Sequence, residues 1–165
     1  LKLNKVEQPQ KVFTDPTNFL AFGLGSGLSP VMPGTVGTLA AVPLYLLMVT
    51  TLPWWLYALL TLIGAIVGIY LCGKAADNFN VHDHPGIVWD EFVGFWITMF
   101  LVPFSWSWMI VGFVIFRVFD MVKPWPISLA DKKVHGGFGI MFDDILAGIA
   151  ACGTMHILMM FVSGF

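Results

Sequence analysis

The amino-acid sequence predicts an all-α fold: a polytopic membrane helical bundle of about five transmembrane helices, with a short N-terminal interfacial or re-entrant helix in front. Three observations predict it. The 165 residues are 58% hydrophobic and 11% charged, with a mean hydropathy of +0.83; soluble domains carry about 25% charged residues. Apolar stretches near bilayer length recur, separated by Pro- and Trp-containing turns or by polar clusters. Every Lys and Arg falls at the same set of stretch ends. The net charge of -2 and the absence of a basic patch interleaved with aromatics exclude a nucleic-acid partner. Cys72 and Cys152 are lone thiols in apolar surroundings, with no CxxC pattern, and read as packing residues. Residues 1–165 read as a single domain without internal repeats.

Taken in order, residues 1–18 are polar and of mixed charge, a cytosolic N-terminal segment lacking the apolar core of a signal peptide. Asp15-Pro16-Thr17-Asn18 is a helix-start signal. The following Phe19 to Leu24 is too short to span a bilayer. The stretch from Gly23 to Thr38 is rich in Gly, Pro and small hydroxyls, which is loop chemistry. The first span is expected over Val36 to Leu52, closed by Pro53. The second runs over Trp54 to Cys72, its helix continuing to about Phe79. The third covers Ile87 to Val102, closed by Pro103, and the fourth Trp108 to Val122, closed by Lys123-Pro124-Trp125-Pro126. A polar loop follows, Ile127 to Phe142, and then a fifth span from Asp144 to Val162.

Alternating the side of each crossing puts three polar clusters at one face. These are His82-Asp83-His84 with Asp90-Glu91, then Arg117, Asp120 and Lys123, then Asp143-Asp144. The turns on the opposite face carry no charge. The positive-inside rule makes the charged face cytoplasmic. The spans hold no carboxylate at mid-depth, which disfavours the rival reading of a small ion transporter or channel, whose acids would line a path across the membrane. A structural assembly subunit, with its acids acting only as caps, is a third reading.

Carboxylates beside hydrocarbon are costly unless paired, wet or metal-bound. Asp90-Glu91 and Asp143-Asp144 are both expected at helix N-termini, where capping and dipole compensation would account for acids. Two such pairs on one face, near Asp120, favour a metal site. Oxygen donors suit Mg²⁺, which takes few carboxylates and often bridges to phosphate. His82-Asp83-His84 reads either as a polar turn or as a source of a general acid at His84. Arg117 and Asp120, three apart, share a helix face and either pair with each other or leave Arg117, with Lys123, to grip an anion. Gly25-Ser26-Gly27 could present backbone N–H groups to an anion but lacks a phosphate-loop pattern.

Four segments then carry a resemblance. They are Gly23-x-Gly25-Ser26-Gly27-Leu28-Ser29-Pro30 with Pro33-Gly34-Thr35, and His82-Asp83-His84 with Ile87-Val88-Trp89-Asp90-Glu91-Phe92. The other two are Phe116-Arg117-x-x-Asp120-x-x-Lys123-Pro124-Trp125-Pro126-Ile127, and His135-Gly136-Gly137 with Gly139-Ile140-Met141-x-Asp143-Asp144. In this order they resemble the phosphatidylglycerophosphatase A family of bacterial membrane lipid phosphatases. The resemblance implies Mg²⁺-dependent conversion of phosphatidylglycerophosphate to phosphatidylglycerol in the bacterial inner membrane, with the active site at the cytoplasmic face. On that reading Asp90, Glu91, Asp143 and Asp144 hold the metal, with Asp120 as a further ligand or supporting partner. Arg117 and Lys123 offset the phosphate charge, and Ser26 and Thr35 complete the substrate pocket. The partner implied is the phospholipid substrate; no obligatory protein partner is implied, and a homo-oligomer is compatible with the sequence. Water attack and a covalent aspartyl-phosphate route both stay open.

Overall fold

A computed structural model describes residues 7–81 and 84–163, the side chains of residues 7, 130–132 and 163 excepted. His82 and Asp83 of the first cluster, and Lys2 and Lys5 of the N-terminal segment, lie outside the described residues. Among those described, the fold is all-α with eight α-helices. They are α1 (Glu7–Thr14), α2 (Pro16–Ala21), α3 (Pro33–Thr51), α4 (Trp54–Phe79), α5 (Trp89–Thr98), α6 (Trp106–Val122), α7 (Ile127–Lys133) and α8 (Gly136–Ser163).

Local chemistry sets the ends of these helices. Asp15 caps α2, its Oδ1 accepting from the Thr17 N–H at 2.8 Å, with Pro16 at the first helical position. Ser105 caps α6 in the same way through the Trp108 N–H, at 3.1 Å. Pro53 separates α3 from α4, and Asn80 ends α4 in the left-handed conformation, at φ 51. Three helices are long and apolar enough to cross a membrane: α3, α4 and α8. Their outer faces leave Leu39, Leu47, Ile63, Ile66, Ile149 and Ile157 exposed, as expected where lipid is the solvent. α2 spans six residues, about 9 Å. It cannot cross, and it buries Ala21 and Phe22 completely.

Three expectations shift. α5 is a 10-residue helix of about 15 Å, well short of the expected Ile87 to Val102. Its start is delayed because the Val88 N–H donates to the Ala21 carbonyl at 2.9 Å, holding the chain off the helix. It ends at a turn in which Leu101 takes a positive φ, just ahead of Pro103. α5 is buried nearly all round, from Glu91 through Trp96, and packs against α3, α4, α6 and α8. A helix without a polar face belongs in the centre.

The stretch expected as a loop, Ile127 to Phe142, is instead α7 and the first turns of α8. Asp143 and Asp144 therefore lie about two turns inside α8, not at a helix N-terminus. The Gly136-Gly137 pair, read as loop chemistry, is a helix contact. A Cβ on Gly137 would stand 2.0 Å from the Ile69 carbonyl oxygen of α4, so α8 comes against α4 there only because the side chain is missing. α3 likewise begins at Pro33, ahead of the expected Val36, which moves Gly34 and Thr35 from loop into helix.

Candidate active site

The three clusters meet. Asp90 and Glu91 occupy the first turn of α5, Arg117 and Asp120 the last turns of α6, and Lys123 its C-cap; Asp143 and Asp144 face them from α8. They surround a pocket of about 180 Å³ walled by Pro85, Ile87, Val134, Gly139 and Ile140, with Asp90, Glu91, Asp120, Lys123, Asp143 and Asp144 supplying the charge.

The Arg117 Nη1 atom lies 2.8 Å from Glu91 Oε2 and 2.7 Å from Asp120 Oδ2, with the guanidinium largely buried. The sequence left open whether Arg117 pairs with Asp120, and it does. Lys123 Nζ donates to Asp143 Oδ2 at 2.5 Å. Asp90 Oδ1 accepts from the Glu91 backbone N–H at 3.0 Å, within the first turn of α5. Neither Asp90 nor Asp144 has a cationic partner among the described residues. Asp144 is 3% exposed, and its Oδ2 is buried without a hydrogen-bond partner. Around the pocket, five carboxyl groups (Asp90, Glu91, Asp120, Asp143, Asp144) face two cationic groups (Arg117, Lys123), an excess of three acidic groups among the described residues. Away from water, such an excess needs a counter-charge.

Among the described residues no three His, Cys, Asp or Glu side chains already stand at metal-binding spacing. The donor chemistry nonetheless fits a hard divalent cation. The donors are all carboxyl oxygens, they outnumber the cations beside them, and one buried oxygen of Asp144 has no hydrogen-bond partner.

Not every expected residue joins the pocket. His84 stands outside its walls. The Gly86 N–H donates to His84 Nδ1 at 3.0 Å, the Gln8 side-chain amide is 2.7 Å from Nε2, and the ring packs on Phe22 and Phe79. Ser26 donates its hydroxyl to the Gly23 carbonyl at 2.8 Å and does not line the pocket. Thr35, in the first turn of α3, keeps a buried Oγ1 with no hydrogen-bond partner.

Two residues gain a place that the sequence did not assign. Thr38 is completely buried, and its Oγ1 donates to Glu91 Oε2 at 2.8 Å. Gly34, one turn earlier, lies against the same carboxylate: a Cβ there would stand 2.1 Å from Glu91 Oε1 and 3.0 Å from Arg117 Nη2. Only the grouping of Pro33, Gly34 and Thr35 hinted that this turn mattered.

A helical membrane protein whose charged groups gather in one acidic pocket, with Arg and Lys beside the carboxylates, has the makings of a membrane enzyme acting on a phosphoester. Comparison with known proteins narrows this. Residues 19–159 match the family described as phosphatidylglycerophosphatase A. The chain is 53% identical over 146 residues to phosphatidylglycerophosphatase A of Escherichia coli K12, covering 88% of this chain and 84% of the relative. It is 44% identical over 138 residues to phosphatidylglycerophosphatase A of Haemophilus influenzae, covering 83% and 85%. No solved structure matches the chain. The chain belongs to the phosphatidylglycerophosphatase A family.

Proposed function

We propose that the acidic pocket is where this protein carries out its family's reaction, with Mg²⁺ as cofactor, at the cytoplasmic face of a bacterial inner membrane. The reaction is hydrolysis of a phosphoric monoester: phosphatidylglycerophosphate becomes phosphatidylglycerol and inorganic phosphate. The observation that carries the assignment is the meeting of Asp90 and Asp144, neither with a cationic partner among the described residues, with Lys123 in one pocket.

Asp90, Glu91, Asp143 and Asp144 would hold the ion. Asp90 and Asp144 lead, because Arg117 already compensates Glu91 and Lys123 compensates Asp143. When bound, Mg²⁺ would polarise the phosphoryl oxygens and lower the pKa of a water. Asp120 keeps Arg117 in place from the same helix. Arg117, paired with the pocket acid Glu91, adds positive charge behind the pocket wall, whereas Thr35 keeps its buried Oγ1 in the first turn of α3, outside that wall. Lys123, at the end of α6, adds positive charge on the pocket wall. In hydrolysis a water oxygen bonds to phosphorus, the phosphorus–glycerol oxygen bond breaks, and the departing oxygen takes up a proton. His84 and Ser26 stand outside this set, since neither lines the pocket.

Residues 1–165 act as one domain in this reading, with five crossings: α3, α4 and α8 in full, and α5 and α6 as shorter ones. At 17 residues α6 reaches about 25 Å. The cytoplasmic assignment is supported by the turns at the opposite end, around Pro53 and from Pro103 to Ser105, which carry no charged residue.

Phosphate release by the purified protein tests the assignment. Phosphatidylglycerophosphate in detergent micelles should be turned over, and Asp90→Asn should abolish release while folded protein still accumulates. An Asp90→Asn protein with wild-type turnover would remove the pocket from the reaction.

A further inference from the structure

α3 contains no charged residue, yet its first two turns touch both oxygens of Glu91. Gly34 and Thr38 are four apart and so stand one above the other on the same helix face. Gly34 leaves the space that Oε1 occupies. Thr38 holds Oε2.

The Thr38 hydroxyl has one proton and two acceptors in reach: Glu91 Oε2 at 2.8 Å and the Gly34 carbonyl at 3.0 Å. A threonine inside an apolar helix ordinarily turns back to the carbonyl four residues earlier. Here the carboxylate is nearer and, when ionised, the stronger acceptor. Arg117 Nη1 approaches the other side of the same hydroxyl at 3.5 Å. That approach suits an oxygen whose proton points away from the guanidinium and toward Glu91. Thr38 thus joins a closed set: Arg117 meets Glu91, Asp120 and Thr38, and Thr38 meets Glu91.

We propose that Thr38 is a positioning residue of the phosphatase site, fixing the Glu91 carboxylate against Arg117 so that the guanidinium is held at one orientation toward the substrate phosphate. This rests on the pocket being the active site, as proposed above. Thr38 acts through Glu91 and Arg117 and touches no reacting atom. Its hydroxyl, not its bulk, is the working part. Without it, Glu91 loses the bond that sets its rotamer, and Arg117, bridged to Glu91 and Asp120 by one nitrogen, loses its fixed support. A misplaced donor at a developing charge lowers the rate of the chemical step more than it weakens binding.

The experiment compares Thr38→Val, which keeps the shape and removes the hydroxyl, with Thr38→Ser, which keeps the hydroxyl and removes a methyl. Phosphate release is titrated against phosphatidylglycerophosphate in detergent micelles, beside melting curves and an Asp90→Asn control. The expected result is a kcat at least tenfold lower for Thr38→Val, KM within about threefold of wild type, and Tm close to wild type. Thr38→Ser should stay within about threefold of wild type in kcat. A Thr38→Val protein with normal kcat overturns the proposal. So does a Thr38→Ser protein that loses as much as Thr38→Val, which would make Thr38 a packing residue; this arm decides even if Thr38→Val fails to accumulate. Should Asp90→Asn retain full activity, the pocket assignment itself falls, whatever the two Thr38 variants do.

Discussion

Arg117 on α6 reaches Glu91 on α5 at 2.8 Å while the same nitrogen holds Asp120 at 2.7 Å, so one buried guanidinium ties two helices and serves two carboxylates. Lysine has the charge without the planar fork. Arg117→Lys should lower kcat/KM at least tenfold, through the loss of one charge-assisted bond of about 1.5–3 kcal/mol. Arg117→Met should go further and cost about 3–5 kcal/mol of stability, because it strands the buried Glu91 and the partly buried Asp120. Kinetics and melting curves on the two variants separate these effects. Near-normal kinetics for Arg117→Lys would return Arg117 to a structural role alone.

Asp144 presents the opposite case, a buried carboxylate with an oxygen that nothing in the described structure satisfies. Asp144→Asn keeps the size and removes the charge. In the absence of divalent metal the variant should melt no lower than wild type, since Asn fills the same space and is not a group that needs a counter-charge. Its phosphate release should nonetheless fall at least a hundredfold. A large drop in Tm, with activity lost in proportion, would make Asp144 a structural acid.

Gly34 and Gly153 form a matched pair. A methyl at Gly34 would enter the space of Glu91 Oε1, while one at Gly153 meets nothing within 4 Å. Gly153→Ala should leave activity intact and, inside a helix, add roughly 0.5–1 kcal/mol of stability. Gly34→Ala should displace the Glu91–Arg117 pair and cost tenfold or more in turnover. Equal behaviour of the two variants in the phosphate-release assay would contradict the placement of α3 over the pocket.

The convergence of Asp90, Glu91, Arg117, Asp120, Asp143 and Asp144 was legible in the sequence. Each cluster adjoins the end of an apolar stretch, and alternating crossings bring those ends to one face. Capping chemistry was legible too: Asp15-Pro16 starts α2 where expected. What stayed hidden depends on three-dimensional approach. Gly136-Gly137 has loop composition but serves a close contact with Ile69 on α4, so the start of α8 was placed about two turns late. The shortness of α5 follows from a backbone bond between Val88 and Ala21, residues distant in the chain, which no local pattern shows. Thr38 carried no signal, because a threonine in an apolar helix usually bonds its own backbone.

Topology offers a test independent of chemistry. A reporter placed in α7 at Lys132 should read out in the cytoplasm, and one placed beyond Val162 at the end of α8 on the far side. Both reporters on the same side would break the five-crossing arrangement and the cytoplasmic placement of the pocket.

The most direct test of the central claim is metal-dependent turnover by the purified protein. Phosphate release from phosphatidylglycerophosphate is followed in detergent micelles in excess chelator, and again after Mg²⁺ is restored. The carboxylate excess around Asp90 and Asp144 predicts that release stops under chelation and returns with Mg²⁺, and that Asp90→Asn and Asp144→Asn stay inactive in both conditions. Undiminished release by the wild-type protein in excess chelator would contradict it.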